Sequence, residues 1–323
     1  MDPLPRFKEP MPPDPRATLR RLIDERLDFS SSLTDAILPQ LLGLTGGSVA
    51  AVVHYGSCLT RTAAADSEPD FYIIVDRLRD WHEGQLPVLL NLVLPPNIYH
   101  PTFQVDGQPR TSKMCVIAGW QLRRETSMAA ADLYHLGRFS KPMGLIYARD
   151  AAARRLVIDA QASAIELLTP LALTQLGPRF TLEEFLLALL GLSYLSEQRI
   201  TEPTKIKRLL EQHEDHLLEI GRCTLALART RRGDLEEDGA GYRQVLSAVD
   251  AARLERLLAR SRRRAFARWP KHIMTFDGWL DYLLAKLERN SGIRLDLTPA
   301  QRRHPVLLAW PRMLDLWRRG FIK

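Results

Sequence analysis

Cysteine is scarce: Cys58, Cys115 and Cys223 are the only three in 323 residues, far apart and without CxxC spacing. That argues against a zinc site or a disulfide framework and fits a reducing compartment. No run of about 18 uninterrupted apolar residues occurs, so no transmembrane helix is expected. The N-terminal stretch MDPLPRFKEPMPPDPRATLRRL lacks the apolar centre of a secretory signal and carries too much acid and proline for a mitochondrial presequence. It reads as a flexible arm over 1–16 that leads into a helix. No internal repeat is visible.

What is present is apolar content of 46%, enough for real cores, and 26% charged residues. The length suits two modest domains, or one domain with a helical extension. The formal net charge of +7 points to an anionic partner: nucleic acid, nucleotide or a lipid surface. Helical spacing runs over 17–43, with Leu19, Leu22, Ile23, Leu27, Leu33, Ile37 and Leu41 as its apolar face, until GLTGGS breaks it. Short apolar runs then predict strands at VAAVVHY (49–55), DFYIIVD (70–76), IYHPTFQV, KMCVIAGW and MGLIYA. These imply a sheet domain of α/β or α+β type ending near residue 150. From Ala152 to about Leu227 the spacing is helical. In GPRFTLEEFLLALLGLSYL, Thr181 can cap the helix with Glu184 three residues on, and Leu182, Phe185, Leu186 and Leu189 form the stripe. RRGDLEEDGAGY reads as a loop or linker, and arginine-dense helix follows.

The chemistry concentrates in HYGSCLTRTAAADSEPDFYIIVD. A glycine after a strand lets backbone approach a phosphate, and Ser57 adds a hydroxyl, so Gly56 and Ser57 form a small phosphate cradle. Asp70 opens the next strand, where a carboxylate can hold Mg2+ against a triphosphate. This order of parts resembles the nucleotidyltransferase superfamily to which polymerase β belongs. Its usual Asp-x-Asp places two carboxylates on one strand face, whereas Tyr72 holds the second position here. A second acid then has to come from Asp66, Glu68, Asp76 or Glu125; otherwise Asp70 only caps a strand.

Further blocks follow in order: DFYIIVDRLRDWH, KMCVIAG, LYHLGRFSKPMGLI, FTLEEFLLALLGLSYLSEQR and EPTKIKRLL. Together they resemble the mitochondrial-type phosphatidate cytidylyltransferases, the CDP-diacylglycerol synthases, over roughly 48–212. That family also keeps a non-acidic residue at the Tyr72 position. Cys58 and Gln198 depart from the family pattern, and 215–323 has no counterpart in it, which points to a bacterial relative. The resemblance implies an α+β chain that opens with a polymerase-β-like nucleotidyltransferase sheet domain over 17–150; the spacing of the residues adds a mainly helical domain over 151–300 and a basic amphipathic segment over 301–323. It implies transfer from CTP to phosphatidate with Mg2+. Gly56, Ser57, Arg138 and Lys113 would bind the nucleotide, Asp70 and Lys141 would act in catalysis, Asp70 and Asp76 would ligate the metal, and Arg199 and Lys205 would grip the lipid phosphate. Two cations in GRFSKP suit phosphate in a loop, though alone they read as a solvated pair. Arg199 and Lys205 equally suit an ordinary helix end. Trp81 and His82 match a family pair but fall outside the catalytic set.

Phosphatidate lies in a bilayer, so a chain without a spanning helix must dock at an anionic membrane surface. Two segments suit this. RLERLLARSRRRAFARWPKHI interleaves arginine with Leu, Phe and Trp. In HPVLLAWPRMLDLWRRGFIK, Val306, Trp310, Leu314, Trp317 and Phe321 recur at helical spacing beside Arg312, Arg318, Arg319 and Lys323, and Pro311 starts or kinks the final helix. The C-terminal segment could instead pack on its own domain, and the first could be an exposed helix face or bind nucleic acid, although no stable nucleic-acid partner is expected. The expected location is the cytoplasmic face of the inner membrane, or the matrix side of the mitochondrial inner membrane. The rival readings are a nucleotidyltransferase with a soluble acceptor and an inactive nucleotide-binding protein.

Overall fold

The structure, a computed structural model, describes residues 14–44, 47–56, 59, 68–195, 203–239, 241–275, 284, 288, 294 and 297–303. It is α+β, with one mixed five-stranded sheet and helices packed mainly on one face. The strands are β1 (Val49–Tyr55), β2 (Asp70–Val75), β3 (Asn97–Tyr99), β6 (Lys113–Ala118) and β7 (Gly144–Ala148), in the order β3-β6-β2-β1-β7. β2 and β6 run parallel, and the other neighbours are antiparallel. Between β3 and β6 lies a separate hairpin, β4 (Thr102–Val105) and β5 (Gln108–Thr111), which turns at Asp106 and Gly107, both at positive φ. That divides the single strand expected in IYHPTFQV at His100–Pro101.

The alternation of side chains along β2 sorts the core. Phe71, Ile73 and Val75 face one side, where they meet Ile37 and Leu41 of α2 (Ser32–Gly43) and Phe103 of the hairpin. Tyr72 and Ile74 face the other side, toward α1 (Pro15–Glu25), α5 (Leu133–Phe139), α6 (Ala151–Leu173), α7 (Leu182–Leu195) and α9 (Glu214–Arg231). This second cluster runs without a break from Leu19 to Leu257. The change of composition near residue 150 is therefore a change of element type within one core. α6 is long and apolar enough to cross a membrane, yet 72% of its apolar window is buried within the protein, where it serves as the central helix.

Two expectations are corrected here. The helix over 17–43 is two helices. Between them Phe29 N–H donates to the Leu145 carbonyl at 3.1 Å, so the chain leaves helix to pair with β7. Ser31 then starts α2 in a capping box with Thr34. The supposed linker RRGDLEEDGAGY contains β9 (Leu235–Asp238) and the start of β10 (Gly241–Gln244), which join β8 (Arg179–Phe180) in a small sheet. The Thr181–Glu184 cap forms as expected, with Thr181 N–H donating to Glu184 at 2.7 Å and Glu184 N–H donating to Thr181 at 3.2 Å.

Candidate active site

Strand directions gather the site. β1 ends, and β2, β6 and β7 begin, at one edge of the sheet, because Tyr55 pairs with Asp70, Asp70 with Lys113, and His54 with Gly144. Gly56, Asp70 and Lys113 therefore meet although they are far apart in sequence. Gly56 has φ +90°, and a Cβ on it would lie 2.7 Å from Asp70 Oδ2. Glycine is required there twice over, by its backbone angle and by the carboxylate that fills the space. Lys113 Nζ lies 3.2 Å from Asp70 Oδ1, with both side chains mostly buried. Burial opposes the Lys113 charge, but Asp70, Cys115 and Tyr134 outweigh it and raise its pKa above the ordinary lysine value.

Tyr72 is fully buried. Its hydroxyl meets His135 Nδ1 at 3.2 Å, and its ring packs against Tyr55 and Phe139. The position two residues after Asp70, where an Asp-x-Asp pattern would put a second carboxylate, is thus a core position. Tyr55, one strand over, places its hydroxyl 3.1 Å from Cys115 Sγ, and burial raises its pKa well above the usual tyrosine value.

Asp76 is not a partner for Asp70. It stands just past the far end of β2, about 20 Å away at ~3.3 Å per residue, and Arg149 clamps it with two contacts of 2.5 and 3.3 Å. A metal shared by Asp70 and Asp76 is therefore corrected: the two carboxylates occupy opposite edges of the sheet. Glu125 ends α4 (Gly119–Glu125), where its carboxylate accepts from Ala131 N–H at 3.2 Å. Glu68 lies two residues ahead of Asp70 on the approach to β2. Asp66 lies outside the described residues, as do Ser57, Cys58, Gln198 and Arg199. Among the described residues no three His, Cys, Asp or Glu side chains form a metal-binding group. Asp70 still fits Mg2+, which keeps several waters and commonly takes one or two carboxylates together with substrate phosphates.

The LYHLGRFSKP block forms α5 and its exit. Gly137 is a contact glycine: a Cβ there would meet Ser193 Cα of α7 at 2.7 Å. The Gly in GR and the Ser in GLSY thus record a close helix crossing. Arg138 is buried, with its guanidinium 3.6 Å from the centre of the Tyr134 ring. Lys141 lies over Tyr194 of α7 at 4.4 Å, at the rim of a cavity of about 400 Å3 that also takes in Leu59, Arg26, His213 and His216. Asp70 does not line that cavity, so Lys141 belongs to its neighbourhood rather than to the Asp70–Lys113 pair. Lys205 is exposed on α8 (Pro203–Gln212). His82 is buried among Asn91, Asn97 and Tyr99, its Nδ1 2.7 Å from the Tyr99 hydroxyl, and burial lowers its pKa to about 4. Those contacts make it a structural histidine.

The arginine-dense helix holds residues that sequence reading placed wrongly. In α10 (Ala248–Thr275), Arg264, Arg268 and Lys271 turn inward. Arg264 Nε and Arg268 Nη2 reach the buried Asp132 at 2.6 and 2.9 Å. Lys271 Nζ donates to the carbonyls of Leu94 and Pro96. Burial would raise the Asp132 pKa, but Arg268, the Tyr134 N–H and Arg264 outweigh it and lower the pKa. Burial also lowers the Lys271 pKa, to about 7. The outward face keeps Arg256, Arg260, Arg262, Arg263 and a 73%-exposed Phe266. The amphipathic segment over 304–323 lies outside the described residues. No family model matches this sequence, and no curated protein matches it either.

Proposed function

We propose that the chain is a Mg2+-dependent nucleotidyltransferase that moves a cytidylyl group from CTP to phosphatidate at a membrane surface. The observation that carries the transferase reading is the Gly56–Asp70 approach beside Lys113: a glycine turn, a carboxylate and a cation at one sheet edge. The choice of CTP and phosphatidate rests on the ordered blocks of the sequence. In the reaction an ionised phosphate oxygen of phosphatidate attacks the α-phosphorus of CTP. A new P–O bond forms, the bond from the α-phosphorus to its bridge oxygen breaks, and pyrophosphate leaves with the electron pair. No proton moves in that step, so the protein needs charge screening and alignment rather than a general base.

Each residue then has a bounded task. The Gly56 turn lets phosphate oxygens approach backbone. Asp70 would hold Mg2+, which when bound neutralises phosphate charge. Lys113 orients Asp70 through their ion pair and adds positive charge for the reacting phosphates. Arg138 adds fixed positive charge behind them. Docking is supported by α3 (Gln85–Val93), which exposes Leu86, Leu89, Leu92 and Val93 and touches α10, whose outer face is basic. Apolar side chains flanked by arginines suit an anionic leaflet, with each basic residue adding about 1 kcal/mol.

The test is turnover of labelled CTP with phosphatidate in mixed micelles containing Mg2+, with ATP, GTP and UTP in parallel. A CDP-lipid product formed only from CTP is expected. The Asp70–Lys113 ion pair favours one rival, nucleotide binding without turnover. Mg2+-nucleotide binding with no lipid product would select that rival.

A further inference from the structure

α10 packs on the flank of the sheet opposite the glycine turn. In the sheet order, Gly56 follows β1 on one flank of Asp70. α10 lies toward the other flank, packed on β3 and α5. Its Arg268 is 5% exposed and sits 4.1 Å above the centre of the Tyr134 ring, on which Arg138 also stacks. Arg268 Nη2 is used by Asp132 and by the Pro95 carbonyl, but its Nε is buried with no hydrogen-bond partner among the described residues. The Tyr134 hydroxyl is buried and partnerless in the same way. Burial raises the Tyr134 pKa to about 12, so the hydroxyl stays a donor, and it lies within electrostatic reach of Lys113.

Two buried donors without acceptors among the described residues, on a ring that Arg138 also stacks on, form an incomplete hydrogen-bond set. Leaving such groups unsatisfied is costly, and native structures usually fill them. An acceptor-rich dianion matches the need: a phosphate monoester offers three oxygens, and Arg recognises it through directed N–H bonds.

We propose that Arg268 Nε and the Tyr134 hydroxyl, with Arg138 and Lys113, bind the phosphate monoester of the acceptor on the flank of Asp70 away from the glycine turn. This rests on the nucleotidyl-transfer reading, in which an in-line reaction brings acceptor and leaving pyrophosphate to opposite sides of the α-phosphorus. It makes α10, rather than Arg199 or Lys205, the source of the acceptor's cationic contact.

The test uses the full chain and two calorimetric titrations: a short-chain soluble phosphatidate, and Mg2+·CTP. Inorganic phosphate is a third probe, to separate a lipid headgroup from free phosphate. Tyr134→Phe keeps the ring between the guanidiniums and removes only the hydroxyl; Arg268→Lys keeps the charge and removes Nε. Tyr134→Phe is expected to weaken phosphatidate binding about fivefold and Arg268→Lys about tenfold or more, with Mg2+·CTP affinity changed less than about twofold. Asp70→Asn is expected to give the reverse pattern. Unchanged phosphatidate binding in a folded Tyr134→Phe overturns the proposal. So does an equal loss of Mg2+·CTP binding, which would give these donors to the nucleotide. Sensitivity to inorganic phosphate alone, with no phosphatidate binding, overturns the assignment to the acceptor. If the expected binding pattern appears but the wild-type protein turns over no CTP, the phosphate site stands and the transferase reading fails.

Discussion

The two ends of β2 carry the same side chain and differ in nearly everything else. Asp70 opens the strand under a glycine turn, paired to a mostly buried lysine, on the sheet face that packs the central helices. Asp76 follows the strand at the opposite edge, half exposed and held in two contacts by the surface residue Arg149. An exposed carboxylate paired with a surface arginine costs little to make. One fixed beside backbone that cannot carry a Cβ has been placed at the expense of every alternative residue at Gly56. The contrast teaches that environment, not residue type or position on a strand, singles out Asp70 rather than Asp76 as the candidate site acid.

The sharpest test of the contrast is Asp70→Ala. It is expected to fold and to lose transfer activity by about a thousandfold or more, which is about 4 kcal/mol of transition-state stabilisation. Turnover and far-UV circular dichroism on the same sample check both halves. Near wild-type turnover would mean the reacting phosphates lie elsewhere.

Gly56→Ala attacks the same end without touching a charge. The new Cβ would drive the Asp70 carboxylate from its place, and φ +90° adds left-handed strain of about 1–2 kcal/mol. A stability loss of that size is expected in urea melts, with activity down by about a hundredfold. A variant that loses stability but keeps activity would reduce Gly56 to a turn former.

How much of this could be read from the sequence depends on what encoded it. β1, β2 and β7 were legible because each is a compact apolar run, and the Thr181–Glu184 cap because its spacing is local. Gly56 and Asp70 stood out as types at a distance, but Lys113 joins them only through the parallel pairing of β2 with β6, which no local pattern carries. Arg264, Arg268 and Lys271 were hidden by their own charge. They continue the inward stripe of Leu254, Leu257 and Ser261 at helical spacing, yet arginine reads as surface. The break between α1 and α2 left a usable signal in Ser31 and Thr34. The strands β9 and β10 left less, being short and mostly polar.

Acid should destabilise the fold through its buried histidines, two of which stand near Asp70. His54, beside it on β1, and His135, behind Tyr72, are buried and have pKa values lowered by burial to about 4 and about 3. In the unfolded chain they titrate near 6.5. Between pH 6.5 and about 4 the unfolded state therefore binds protons that the folded state does not, and stability falls as pH falls, on the order of 1 kcal/mol per histidine per pH unit. Neither His54 nitrogen has a hydrogen-bond partner among the described residues, and its ring lies between Phe29 and Phe71. His54→Leu is thus expected to stay within about 1 kcal/mol of wild type at pH 7 and to show a shallower loss of stability toward pH 5. Urea melts at both pH values decide it. An unchanged slope would mean that His54 gains no proton on unfolding.

The smallest effect is expected at the other end, and it bears most directly on the contrast. Asp76→Ala removes one partner of an exposed ion pair, whose usual worth is below about 1 kcal/mol because water already solvates both charges. Arg149 stays solvated when it loses Asp76, so no buried charge is left uncompensated. Transfer activity should remain within about twofold of wild type, and the urea midpoint should barely move. Loss of activity in Asp76→Ala with a normal melt would move the reacting centre to the far edge of the sheet. Asp70, Gly56 and Lys113 would then be explained as packing alone, with the lysine serving only to neutralise a carboxylate that the glycine turn encloses.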